Sequence, residues 1–127
     1  MINFNGNIQD TSNFAIENNR GFLFGDAIFE TIKINGTKIL FLEEHYLRLM
    51  ASMRICRMEI PMNFTMEFME EEILKLIELQ INKVSNRIRF SVFRNAIGFY
   101  NPTSNDVQFV ITCSKLSSEK YVFLPLN

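Results

Sequence analysis

The sequence of 127 residues has no tryptophan, only two cysteines, a single histidine and almost no net charge. Each scarcity excludes something. Thirteen Lys and Arg against fourteen Asp and Glu leave a formal charge of −1, with no basic run and no arginine-rich helix. Binding to a phosphate backbone needs a clustered cationic excess, so nucleic acid is excluded as a partner. No apolar run approaches the roughly 18 residues of a membrane span, and the N-terminus lacks a charged and then apolar leader. The reading is a cytoplasmic protein that does not enter a membrane. Without a leader, Cys56 and Cys113 are expected to be reduced and mostly buried rather than bridged. They do not stand at metal-ligand spacing, and His45 has no second ligand near it, so no metal site is expected.

What is abundant is apolar: 47% of residues are hydrophobic, including thirteen Phe and seven Met. A chain of this length suits one domain that buries roughly two-thirds of its unfolded surface. Apolar content this high points to a partner-facing surface as well as a core. The charges are unevenly placed. Glu67, Glu70, Glu71, Glu72 and Glu78 acidify one stretch, read as a solvated helix face, while Arg87, Arg89 and Arg94 crowd one strand and its exit.

Along the chain, Ile2 to Phe4 and Asn7 to Gln9 flank Asn5-Gly6, the signature of a type I′ hairpin. Asp10 to Asn19 is polar and turn-rich, a surface loop. Phe22 to Phe24 and Ala27 to Ile34 are strand-like, and Asn35-Gly36 closes a second hairpin onto Lys38 to Phe41. From Glu43 to about Met58, apolar residues at helical intervals predict an amphipathic helix that stops before Pro61. Thr65 caps a second helix, with Phe64 and Met69 placed as a staple and Met69, Ile73, Leu76, Ile77 and Ile81 as the buried stripe. Arg87 to Arg94 alternates as a strand, Asn95 to Asp106 reads as a loop, and Val107 to Ser114 is a final strand. The tail from Ser117 to Asn127 has only short apolar stretches and is expected either to lie extended on the surface or to lead into further sequence. The expected fold class is α+β: an antiparallel sheet with two helices packed on one face.

Two segments carry more order than periodicity requires. RGFLFGDAIFET over residues 20–31 and LEEHYLRL over residues 42–49 resemble, in sequence and spacing, the RG(x)nGDxxFET and LxxHxxRL segments that open the class IV pyridoxal-phosphate enzymes. That family includes aminodeoxychorismate lyase, branched-chain aminotransferases and D-amino acid aminotransferases. The resemblance runs from about Ile2 to Ser114 and covers the smaller N-terminal domain of such enzymes, the D-amino acid aminotransferase-like fold. It implies pyridoxal 5′-phosphate as cofactor, a small amino-acid-like substrate and a homodimer.

The resemblance also implies roles for particular residues. Arg48 takes the position of the arginine that binds the cofactor phosphate, a task suited to a guanidinium fork; read without the motif, it is a surface arginine on an amphipathic helix. Phe24 and Phe29, flanking Gly25-Asp26, match aromatic positions that line the substrate pocket, and Asp26 fixes the turn. Strand alternation puts Phe29, Thr31 and Lys33 on one face and Ile28, Glu30, Ile32 and Ile34 on the other. The first, mixed face resembles a pocket wall. Arg89 and Arg94 each match an arginine that a different branch uses to grip a substrate carboxylate, but their opposite parity keeps a regular strand from aiming both into one site. For each the plainer alternative is an arginine solvating a sheet edge.

His45, as part of the helix motif, is read as a packing or capping residue and not as a general base. Among Lys33, Lys38, Lys75, Lys83, Lys115 and Lys120 none occupies the family's cofactor-bearing context, which falls beyond Asn127. No catalytic residue is therefore expected in this chain, which is expected to be inactive alone. The Arg94-Asn95-x-x-Gly98 turn, with Tyr100 and Pro102, resembles the RGxG turn of the lyase and D-amino acid branches, with Asn95 in place of a glycine. That favours aminodeoxychorismate lyase over an aminotransferase of branched-chain or D-amino acids. The reading from another class is a non-catalytic dimerisation module of the same fold.

Overall fold

The computed structural model describes residues 1–10, 27–79, 85–94 and 107–115. It is an α+β domain: β1 (Ile2–Phe4), β2 (Asn7–Gln9), β3 (Ala27–Asn35), β4 (Lys38–Ile39), α1 (Leu42–Ile55), α2 (Met66–Ile77), β5 (Ser85–Arg94) and β6 (Val107–Lys115). One six-stranded sheet runs in the order β2-β1-β6-β5-β3-β4, and every pairing is antiparallel. The expected strand at Phe22 to Phe24, the loops at 11–19 and 95–106, Ile81 and the tail lie outside the described residues.

The first hairpin forms as the Asn-Gly pair dictates. Phe4 pairs with Asn7, and both central residues, Asn5 and Gly6, have positive φ, 54° and 90°, as a type I′ turn requires. The second hairpin differs by one residue from the expectation. Asn35 pairs with Lys38, so Gly36 and Thr37 are the central residues, with Gly36 supplying the positive φ.

Phe41, the last residue of the strand expected over Lys38 to Phe41, instead starts α1. It sits in the left-handed region and its carbonyl accepts the His45 N–H. At the other end, Met58 N–H bonds to Met53 O and Arg57 N–H to Arg54 O, while Arg57 holds φ 57°. This is a Schellman stop, with arginine where glycine is usual. It ends α1 well before Pro61, and Met58 folds back as a buried residue. Helix α2 begins at the expected cap, where Thr65 Oγ1 accepts the Phe68 N–H at 3.1 Å.

Alternation divides the sheet into two faces. Toward the helices point Ile32, Ile34, Ile88, Phe90, Val92, Phe109 and Ile111, which pack with Leu49, Met50, Met53, Met69, Ile73, Leu76 and Ile77. Phe109 is the hub of an aromatic group, with the rings of Phe64, Phe68 and Phe90 centred 5.4 to 5.8 Å from it. Glu72, expected on a solvated face, is buried. Its backbone and carboxylate oxygens both accept from Asn3 Nδ2, and Lys75 bonds the same carboxylate. Asn3 in turn accepts the Gly6 N–H, which ties the first hairpin to α2. Cys56 and Cys113 are both free and half-buried, and burial pushes the Cys113 thiol up. Among the described residues no helix is long and apolar enough to cross a membrane, and no three His, Cys, Asp or Glu gather as a metal set.

Candidate functional site

Two features of the β3 region stand out, one on each face. On the helix side, Glu30 projects from β3 among apolar neighbours and is 7% exposed. A carboxylate there must be paired, and α1 supplies the partners at i and i+3. His45 Nδ1 lies 2.7 Å from Glu30 Oε1. Arg48 Nε lies 3.0 and 3.1 Å from the two carboxylate oxygens, and its Nη2 is 3.0 Å from Oε1.

Burial pushes the Glu30 carboxyl up, but the hydrogen bonds from Arg48 and His45 and their attraction outweigh it and hold it below the usual glutamate range. The hydrogen bond and charge of Glu30 likewise raise Arg48. With Glu30 ionised, the short contact assigns the His45 proton to Nδ1. The 3.4 Å approach of Arg48 Nη2 to that nitrogen then sets two donors side by side on one acceptor.

The consequence for Arg48 is geometric. One edge of the guanidinium is fixed on Glu30, yet its side chain is 62% exposed, so remaining N–H groups point to solvent from an oriented plane. Glu30 and the orienting use of His45 were not among the residues singled out from the sequence. The available signal was a glutamate on an otherwise isoleucine face, with a histidine and an arginine one helical turn apart in the helix that follows the hairpin.

On the opposite face, Phe29, Thr31 and Lys33 stand together as alternation predicts; Phe29 is 51% exposed, Thr31 is exposed and Lys33 half-buried. Thr31 pairs with Arg89 across β3 and β5, and the Arg89 guanidinium carbon lies 3.8 Å from the centre of the Phe29 ring. That cation–π contact holds the guanidinium over the ring. The register sets the two arginines apart. Arg94, on the other parity, donates through Nη2 to the Cys56 carbonyl at the end of α1 and is not brought together with Phe29, Thr31, Lys33 and Arg89. Phe24 lies outside the described residues. Toward the β1 side the same face turns apolar, where Ile2, Phe93 and Val110 are buried together and Phe4 stacks on Phe93.

The fold has close counterparts among solved structures. The branched-chain aminotransferase of Thermoproteus uzoniensis superposes with a TM-score of 0.76 at 16% identity, over 90% of this chain and 40% of that one; the likeness is one of fold. The T.th. branched-chain amino acid aminotransferase, complexed with N-(5′-phosphopyridoxyl)-L-glutamate, matches at 0.72 and 27% identity, over 91% and 40% of the two chains. A candidate 4-amino-4-deoxychorismate lyase of Legionella pneumophila matches at 0.66 and 25% identity, over 79% and 36%. This chain therefore spans about two-fifths of the length of these proteins. No curated protein matches it in sequence. The family model for amino-transferase class IV matches residues 27–123, a span that contains both the Glu30–His45–Arg48 group and the Phe29–Arg89 face. The chain belongs to the aminotransferase class IV family.

Proposed function

We propose that this chain is the N-terminal domain of a pyridoxal 5′-phosphate-dependent class IV enzyme, acting on a small amino-acid-like substrate. The observation that carries the reading is Arg48, an exposed guanidinium whose one edge is locked by a buried carboxylate. Such a donor plane fits a phosphate, which accepts hydrogen bonds in the same bidentate way. Bound cofactor would supply the electron sink for chemistry at the substrate's α-carbon. The residues of this chain would bind and orient: Glu30 and His45 would aim Arg48 at the phosphate, and Arg89, held over the Phe29 ring, would grip a substrate carboxylate beside Thr31 and Lys33. No lysine of this chain is assigned to catalysis, so the domain alone is inactive.

Within the family we favour an aminodeoxychorismate lyase, forming 4-aminobenzoate and pyruvate. The Legionella likeness and the Arg94-Asn95-x-x-Gly98 sequence support it. The 27% identity to the T.th. enzyme favours the second reading, a branched-chain aminotransferase. A homodimer is proposed with either, supported by the exposed apolar residues Phe41, Leu47, Ile55 and Met62.

The test compares pyridoxal 5′-phosphate with pyridoxal, which lacks the phosphate, by absorbance titration of the purified chain. The phosphate ester should bind more tightly, and Arg48→Ala should erase the difference. Equal affinities in the unmodified chain would refute the assignment. Borohydride reduction should leave no stoichiometric adduct at any single lysine; one such adduct would refute the inactivity of the lone domain.

A further inference from the structure

Helix α1 carries Arg48, and the sheet ties that helix down at two separated points. In its first half, Glu30 on β3 accepts from His45 and Arg48. At its end, Arg94 of β5 donates through Nη2 to the carbonyl of Cys56, the C-cap residue. The last carbonyls of a helix lack an intrahelical donor, and a cation at that end also complements the negative pole of the helix dipole.

The two ties match in spacing. Glu30 pairs with Phe90 across β3 and β5, so the strand position of the first tie is known on β5 as well. From Phe90 to Arg94 the strand advances about 13 Å, and from Arg48 to Cys56 the helix advances about 12 Å. A slide of α1 along the sheet therefore cannot keep both ties.

Between them the contact is apolar, made by Leu49, Met50 and Met53 against the sheet core. Apolar contact is non-directional and methionine repacks readily, whereas hydrogen bonds weaken steeply out of line. The polar ties, more than the core, thus fix where along the sheet Arg48 stands. A role for Arg94 in solvating a sheet edge does not match its surroundings, since β5 is interior to the sheet and the residue is half-buried. By alternation it shares the helix side of β5 with Ile88, Phe90 and Val92, opposite to the Arg89 guanidinium over Phe29.

We propose that Arg94 is a positioning residue for Arg48: from β5 it caps α1 and so sets the place of the phosphate-facing guanidinium. The inference rests on the reading of Arg48 as the phosphate donor. It gives Arg94 a role on the cofactor side of the site, exerted through the helix, and not on the substrate carboxylate.

The experiment follows two signals in the isotope-labelled chain: solvent exchange of the Arg48 Nε–H by NMR, and the ratio of affinities for pyridoxal 5′-phosphate and pyridoxal. Arg94→Met keeps most of the side-chain length and removes the donor, while Arg94→Lys keeps a cation. Arg54→Met removes an exposed charge from the last turn of α1 and leaves the tie in place. Arg94→Met should speed the Arg48 exchange and lower the affinity ratio, each about threefold to tenfold, as the loss of one favourable contact at a helix terminus implies. Arg94→Lys should fall between Arg94→Met and the unmodified chain, and Arg54→Met should match the unmodified chain. Butyrate, a probe of the Arg89 face, should bind Arg94→Met as it binds the unmodified chain. Unchanged Arg48 exchange in folded Arg94→Met, an equal change in Arg54→Met, or a loss of butyrate binding with the affinity ratio intact would each overturn the proposal. If Arg94→Met does not fold, Arg94→Lys decides, and Arg48 exchange no faster than in the unmodified chain overturns the tie. Equal binding of pyridoxal 5′-phosphate and pyridoxal by the unmodified chain would sink the phosphate reading alone, because the Arg48 exchange still decides whether Arg94 positions that residue.

Discussion

Replacing Glu30 with glutamine keeps the size of the side chain and removes the charge that joins β3 to α1. The carboxylate is 7% exposed and accepts from His45 and from two nitrogens of Arg48 at 2.7 to 3.1 Å. Hydrogen bonds to charged groups contribute about 1.5–3 kcal/mol each when well shielded. Here Arg48 reaches into solvent, where water screens its share, and glutamine still offers one carbonyl to His45. The expected loss for Glu30→Gln is therefore about 1–2 kcal/mol at neutral pH.

The pH dependence gives the sharper test. Because the folded protein holds the Glu30 carboxyl below its usual range, the unfolded chain takes up the proton first as the solution is acidified. The contribution is complete above the unfolded value of about 4.3 and is lost as pH falls through the lower folded value. Urea denaturation of both proteins between neutral pH and about pH 3 should give two stability curves that converge on the acid side. A constant offset at all pH values would show that the loss comes from packing and not from the ion pair. No offset at neutral pH would refute the claim that Glu30 anchors Arg48.

Three further substitutions test the fold that carries the site. Arg57→Gly should raise stability by about 0.5–1 kcal/mol in urea denaturation, because glycine occupies the left-handed stop of α1 without strain; a loss would mean that the arginine side chain makes a contact worth more than the strain. Met53→Ala, at a position with no exposure beneath α1, should cost about 2–4 kcal/mol in the same assay, and a cost under about 1 kcal/mol would show that the core collapses around the gap. Thr65→Ala should cost about 1 kcal/mol through the lost cap to Phe68, with faster amide hydrogen exchange confined to the first turn of α2; exchange that rises throughout the sheet would refute a local cap.

Local rules make most of the elements legible in one dimension. Asn5-Gly6 specifies the first hairpin, Thr65 marks the start of α2, and the alternation of Phe29, Thr31 and Lys33 separates the open face from the core. The boundaries that shift are those where a local signal competes with tertiary packing. Phe41 continues the apolar pattern of a strand but starts a helix, because the chain must turn from β4 onto the sheet. Arg57 ends α1 in a conformation that its residue type does not advertise, and the stop becomes visible only when Met58 is seen buried beneath Met53.

At the site the limit is of another kind. Motif spacing draws attention to Arg48 as a lone residue, whereas the geometry makes it one of three: Glu30 supplies the buried charge, and His45 and Arg48 share it. That group follows from desolvation alone, since a glutamate on a face of isoleucines cannot stay ionised without donors from the element packed over it. Parity gives half of the answer for the arginines. It states that Arg89 and Arg94 diverge, and only the register with Thr31 decides that Arg89 joins the open face. The same register places Arg87 beside Lys33, a relation invisible in one dimension because the two residues are 54 positions apart in the chain. Charge on a sheet face is a property of paired strands, and it becomes readable when the strand order is known.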